Sequence, residues 1–200
     1  MIKMNSKAIF LDRDGVINEV VYHKEMGLVD SPSSTDQFKL IVDVGKAINK
    51  FHENGFKVIL VSNQPGLAKG KYTLEVFEAI KEKMREELAK YGAKLDGEYY
   101  CLHHPEAKIP DYLKICDCRK PKPGLILQAA KDHNIELSKS WMIGDGINDI
   151  KAGQAAGCKT ILLGIMKCDL CKRMEDENVK PDFIASNLYN ATFITEKEER

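Results

Sequence analysis

The chain has 200 residues, 44% hydrophobic and 30% charged, and its thirty Lys and Arg are matched by thirty Asp and Glu for a formal net charge of +0. That balance describes a globular chain with one buried core and excludes disordered and fibrous classes. With no overall positive field, neither nucleic acid nor a membrane is expected as a partner, and no apolar run approaches the roughly 18 residues that span a bilayer. The opening MIKMNSKAIF lacks the basic, apolar and small-residue order of a signal peptide, so a cytoplasmic location is expected.

Taken in chain order, short apolar runs alternate with helical patterns. Ala8 to Leu11 reads as a strand, and Val44, Ala47, Ile48 and Phe51 then recur at i, i+3, i+4 and i+7 before Gly55, which reads as a crossover helix. Phe56 to Val61 is the second strand. From near Thr73 a helix buries Phe77, Ile80, Met84 and Leu88 and stops at Tyr91-Gly92. A third helix begins at Pro123 and carries Leu125, Ile126 and Ala129. Trp141 to Ile143 is a strand, a helix runs from about Asp149 to Gly157, and Thr160 to Leu163 is the last clear strand. Apolar runs without polar alternation suit strands covered on both faces. The pattern predicts an α/β fold: a doubly wound, Rossmann-like parallel sheet flanked by helices, in a single domain over 1–200. No repeat or linker interrupts it, a monomer is expected, and Thr195 to Arg200 reads as a frayed polar tail.

In such sheets ligands sit beyond the carboxyl ends of the strands. Asp12 and Asp14 follow the first strand, Ser62, Asn63 and Gln64 the second, and Asp145 follows "WMIG". One Asp after a strand is commonly a cap or turn former, and an EF-hand loop would need its glycine sixth and a glutamate twelfth. Counted from Asp12, Gly15 is fourth and His23 twelfth, so that loop is excluded. Two neighbouring carboxylates stay ionised when a cation shares their site, and oxygen ligands at a phosphate favour Mg²⁺, here with Asp12, Asp14 and Asp145. Asp12 can then attack phosphorus to form an aspartyl-phosphate, while Asp14 carries the proton to the leaving alcohol and takes one from water. Ser62 and Asn63 offer donors to phosphate oxygens, and Lys120 in "CRKPKPG" offers a positive charge, with Lys122 as its rival. No Gly-rich loop ending in GKS or GKT appears, which argues against an ATP-driven kinase.

Six cysteines in a cytosolic chain are thiols or metal ligands rather than disulfides. Cys101, His103, Cys116 and Cys118 suit tetrahedral, structural Zn²⁺, in a loop over about 99–120 that delivers Arg119 and Lys120. His104 is the alternative imidazole. Cys168 and Cys171 form a lone CxxC read as incidental thiols, and Cys158 reads as a core residue.

DRDGVIN, the VSN of the second strand, KPKPG and GDGIND, in that order, resemble the four motifs of the haloacid dehalogenase superfamily of aspartate-nucleophile phosphatases. The resemblance implies Asp12 as nucleophile, Asp14 as acid/base, Ser62 for phosphate, Lys120 as the motif-three lysine, Asp145 as magnesium ligand and Asp149 in support. C-x-H followed by C-x-C before RKP, with "SNQPGLAKGKYT", looks like the subgroup of heptose 1,7-bisphosphate and histidinol-phosphate phosphatases. That implies no large cap domain, a zinc loop in the substrate wall, and substrate contacts from Asn63, Arg119 and Lys120. The implied reaction is hydrolysis of a small phosphorylated metabolite, above all the 7-phosphate of D-glycero-D-manno-heptose 1,7-bisphosphate. Histidinol phosphate is the alternative substrate, and a non-catalytic, zinc-stabilised binding protein the alternative class. Two departures stand out: Gly146 where the subgroup usually has a basic residue, and a long stretch after Asn18.

Overall fold

The computed structural model describes residues 6–23, 28–164, 174 and 176–198. Cys168 and Cys171 lie outside the described residues.

The first strand, β1 (Lys7–Leu11), pairs in parallel with β4 (Phe56–Asn63) on one side and β6 (Trp141–Gly144) on the other. The sheet is completed by β5 (Gly97–Cys101) beside β4, and by β7 (Lys159–Leu163) and β8 (Phe183–Ala185) beyond β6. Its order is β5-β4-β1-β6-β7-β8, and every pairing is parallel. The chain builds outward from β1 first one way and then the other, so the switch point lies between β1 and β6, beneath their carboxyl ends.

Successive strand residues point to opposite faces, so one strand feeds two cores. Ile9 and Leu11 join the cluster that holds Ala47 and Phe51 of α1 (Val44–Glu53), Ile80 and Met84 of α2 (Leu74–Ala89), and Leu188 of α5 (Leu188–Glu198). Ala8 and Phe10 face Ile126 and Ala129 of α3 (Gly124–His133) and Ala152 of α4 (Ile147–Ala156). Burying one Phe or Leu side chain contributes about 1.5–3 kcal/mol. The two-faced sheet therefore explains why its strands read as continuous apolar runs.

The expected strands and helices form, with shifted ends. β4 runs two residues further than expected, so Ser62 and Asn63 lie within it rather than after it. Pro123 is the cap of α3 rather than its first residue, and α4 begins at Ile147, before Asp149. The frayed-tail expectation is corrected over its described part. α5 continues to Glu198, and Thr195 is fully buried, with its hydroxyl satisfied by donation to the carbonyl of Thr192 inside its own helix. β5, β8 and the antiparallel hairpin of β2 (Val21–His23) and β3 (Leu28–Asp30) were not anticipated. That hairpin occupies the long stretch after Asn18, and among the described residues no larger cap is inserted. No helix among the described residues is long and apolar enough to cross a membrane.

Candidate active site

Asp12 leaves β1 at the switch point. Its Oδ1 lies 2.8 Å from Lys120 Nζ, which is also 2.6 Å from Asp149 Oδ1 and donates to the carbonyl of Val61 at 2.8 Å. Three acceptors thus take up the ammonium of a side chain only 3% exposed. Burial alone would lower the Lys120 pKa, but the two carboxylates more than reverse this and hold it protonated. Asp149 accepts in turn from the Gly146 N–H at 3.0 Å, so the first turn of α4 fixes the lysine's second counterion. Lys122 instead pairs with Asp117 on the surface, so of the two rival lysines it is Lys120 that stands beside Asp12.

Asp12, Asp145 and Asp149 bring carboxylate oxygens within 4.8 Å of one another. Burial, followed by the charges of its neighbours, pushes Asp145 up to about 7, while burial with Asp149 and Asp14 pushes Asp12 up to about 6. Carboxylates under such mutual repulsion form an all-oxygen donor set that fits a hard divalent cation. With both Asp149 oxygens engaged by Lys120 and Gly146, the two carboxylates left to hold it are Asp12 and Asp145. Gly15, at φ +79°, turns the chain beneath Asp145, and a Cβ there would collide with its carboxylate.

The carboxylate of Asp14 lies outside this acidic trio. Asp14 faces the other way and accepts from Arg13 Nε (3.2 Å) and Nη2 (3.1 Å), Asn18 Nδ2 (2.9 Å), Gln64 Nε2 (2.7 Å) and Ser31 Oγ (2.8 Å). Burial would raise its pKa, but the Arg13 guanidinium and these hydrogen bonds hold it below the usual carboxylate range. Arg13 and Gln64 are both fully buried, and Ser31 reaches in from just beyond the hairpin. Arg13 and Ser31 escaped the sequence reading; an arginine between two motif aspartates was the available signal for the first.

Ser62 is 1% exposed and receives Gln64 Nε2 on its Oγ at 3.0 Å. The Asn63 amide is engaged at both ends. Its Oδ1 accepts from the Lys120 N–H and its Nδ2 donates to the Lys120 carbonyl, both at 3.0 Å, so the amide pins the lysine's main chain and leaves one N–H for a substrate.

Cys101 closes β5, and Cys116 and Cys118 return to it across the intervening loop. Their sulfurs lie 3.1–3.5 Å apart, with His103 Nδ1 3.3 Å from Cys118 Sγ. Four ligands at ~2.0–2.3 Å from one tetrahedral centre stand about 3.3–3.8 Å apart, so the cluster is close to metal-binding geometry. His104 lies outside the group, its Nδ1 accepting from the Glu106 N–H. Arg119 leans over the loop, with Nη1 3.5 Å from the His103 carbonyl. Cys158 is buried in the core as expected.

A parallel sheet with an aspartate pair at its switch point, a buried lysine and a third acid after β6 defines an aspartate-based hydrolase of the haloacid dehalogenase class. Consistent with this, residues 117–191 match the family model described as "HAD-hyrolase-like". The chain is 42% identical to a D-glycero-beta-D-manno-heptose-1,7-bisphosphate 7-phosphatase of Haemophilus ducreyi, over 80% of this chain and 84% of that one. It is 40% identical to the enzyme of that name from Escherichia coli (strain K12), over 78% of each. A crystal structure of D,D-heptose 1.7-bisphosphate phosphatase from B. bronchiseptica, complexed with magnesium and phosphate, superposes with a TM-score of 0.77 at 28% identity, covering 96% of this chain and 99% of that one. The chain belongs to this family of heptose bisphosphate phosphatases within the HAD superfamily.

Proposed function

We propose that the chain hydrolyses the 7-phosphate of D-glycero-D-manno-heptose 1,7-bisphosphate through an aspartyl-phosphate on Asp12. The observation that carries the mechanism is the Asp12–Lys120–Asp149 arrangement at the switch point, with Asp145 beside it. The names of the relatives carry the substrate.

In the first half-reaction an Asp12 carboxylate oxygen bonds to phosphorus as the bond from phosphorus to the sugar oxygen breaks, and Asp14, which has to take up a proton against the pull of Arg13 and its other donors before each turnover, gives that oxygen the proton. In the second, water attacks the same phosphorus, Asp14 takes the water's proton, and the bond to Asp12 breaks to release phosphate. Ser62 and one Asn63 N–H offer donors to the phosphoryl oxygens. Lys120 places a fixed positive charge beside them without reorganising, because Asp149, Val61 and Asn63 already hold it. Asp12 and Asp145 are the carboxylates that would hold magnesium, which when bound would supply the neutralising charge that keeps both ionised in a buried cleft.

Zinc is the metal proposed for Cys101, His103, Cys116 and Cys118. With every position filled by protein it is structural, and it ties the segment carrying Arg119 and Lys120 to the end of β5. Arg119 is then fixed at the wall of the cleft to contact substrate.

The test is phosphate release from the purified protein in magnesium, comparing heptose 1,7-bisphosphate anomers with histidinol phosphate at matched concentration. A preference for a heptose bisphosphate of at least tenfold in kcat/KM is expected. Equal or better turnover of histidinol phosphate would contradict the substrate, and no turnover of either would contradict the enzymatic reading.

A further inference from the structure

We infer that the ion pair between Asp30 and Lys71 sets how bulky a phosphate ester can enter the cleft, by tying the β2–β3 hairpin to the segment that follows β4. The inference rests on the phosphatase reading above and concerns the size of the substrate rather than the chemistry at Asp12.

Three segments rise around the aspartates from the carboxyl ends of the strands, and each is anchored there. Just after β3, Ser31 donates through Oγ to Asp14 at 2.8 Å. At the end of β4, Gln64 donates to the same carboxylate at 2.7 Å. The thiol loop runs directly into Lys120, which meets Asp12. With no larger cap inserted among the described residues, these segments form an arc of walls, and the space between them is what a substrate's leaving group has to fit.

The two joints of the arc are built differently. Its middle wall, residues 65–72, is stiff: the Lys69, Gly70 and Lys71 N–H groups donate to the carbonyls of Pro65, Leu67 and Gly66 at 2.9, 3.0 and 2.9 Å. Toward the thiol loop, the Ala68 carbonyl accepts from the N–H groups of both Lys108 and Ile109, at 2.8 and 3.1 Å. Beside it Leu67 is buried in a cluster flanked by Leu102 and Tyr112. Toward the hairpin, the wall relies on Lys71 Nζ donating to Asp30 Oδ2, between side chains 42% and 32% exposed. Asp30 Oδ1 accepts from the Ser31 N–H at 2.9 Å, so the residue that receives Lys71 also orients the one that reaches Asp14. Apolar burial and main-chain hydrogen bonds make the first joint firm, whereas an exposed ion pair shifts a local equilibrium by no more than about fivefold. The hairpin joint is therefore where the arc yields, and Asp30 and Lys71 are its size-determining residues.

The test compares two esters with the same leaving group and different bulk, free O-phosphotyrosine and a peptide with phosphotyrosine at its centre. Their kcat/KM values are measured in magnesium for wild type, Lys71→Met, Asp30→Asn, the double variant and Lys71→Arg, beside turnover of heptose 1,7-bisphosphate. Asp30→Asn keeps an oxygen for the Ser31 N–H and Lys71→Met keeps an apolar stem, so each removes mainly the ion pair. Wild type should favour the free amino acid. The peptide-to-amino-acid ratio should rise about 3- to 5-fold in either single variant and no further in the double, while Lys71→Arg keeps the wild-type ratio. If the heptose bisphosphate is hydrolysed but the ratio is unchanged, the single effects multiply, or Lys71→Arg behaves like Lys71→Met, the inference fails alone. Hydrolysis of phosphotyrosine without hydrolysis of the heptose bisphosphate removes the substrate reading, and the ratio still decides the inference. No turnover of any ester removes the enzymatic reading and the inference with it. Hydrogen exchange gives a readout without substrate: amides of 28–31 should exchange about 3- to 5-fold faster in Lys71→Met with β1 unchanged, and no change at 28–31 would overturn the inference.

Discussion

The acidic cleft at the switch point and the thiol loop beside it are both groups of side chains able to hold a metal, and they are held in opposite ways. In the cleft most of the charges are answered by protein, Lys120 meeting Asp12 and Asp149 and Arg13 meeting Asp14, which leaves Asp145 to its carboxylate neighbours. The main chain there is fixed by strand ends and the first turn of α4, so the geometry belongs to the sheet. In the loop, Cys101, Cys116 and Cys118 have mainly one another and His103, on a segment with little regular structure. The difference teaches which part of the molecule would depend on a bound metal for its shape. The cleft should keep its shape without magnesium, whereas the loop should lose its shape without its metal, because unpaired thiols contribute little and the closure entropy is not offset.

The sharpest way to break that contrast is to remove a protein partner from the cleft. Lys120→Met leaves Asp12 and Asp149 facing each other in a buried site, and a loss of about 3–5 kcal/mol is expected by denaturant unfolding, with turnover falling about 10³-fold. A change under 1 kcal/mol would show that water or metal, rather than the lysine, answers those acids. At the loop, Cys118→Ser should abolish tight metal uptake by elemental analysis and speed proteolysis within 102–119, while the sheet's far-ultraviolet signature persists. Turnover should fall about 10–100-fold, because Lys120 follows the loop directly. EDTA treatment discriminates further: activity that returns with magnesium alone marks loss from the cleft, and activity that also requires zinc marks loss from the loop.

A smaller effect comes from a site remote from both. Burial would raise the Asp96 pKa, but the Val58 N–H and His52 hold it below the usual range. A carboxylate lowered on folding contributes stability at neutral pH that disappears as the pH falls through its folded value. Asp96→Ala should therefore cost about 1 kcal/mol at neutral pH, with the gap to wild type closing in acid, as followed by urea unfolding across pH. Lys122→Ala, at an exposed pair, should change stability by less than about 0.5 kcal/mol and turnover by less than about twofold. A large effect there would return Lys122 to the cleft.

Much of this site was legible in the chain because its acids and lysine sit at strand ends and beside prolines, where local chemistry marks them. Asp12, Asp145, Lys120 and the thiol quartet are of that kind. What remained hidden depends on the fold. Ser31 meets Asp14 only because the hairpin brings it back, and the fate of the Asn63 amide is set by a main chain 57 residues away. β5, "GEYYC", has no apolar alternation because only its last residue is buried, and it becomes a strand by pairing with β4. Thr195 looked like a tail residue because composition does not reveal that a helical threonine can satisfy its hydroxyl on its own helix.

The most direct test of the account is to quench the magnesium-loaded protein in acid during turnover of heptose 1,7-bisphosphate and to map the phosphoryl group by mass spectrometry. A phosphoryl group on Asp12, absent from Asp12→Asn together with all but about 10⁻⁴ of the turnover, is the predicted result. Full turnover by Asp12→Asn, or a phosphoryl group on any other residue, would contradict it.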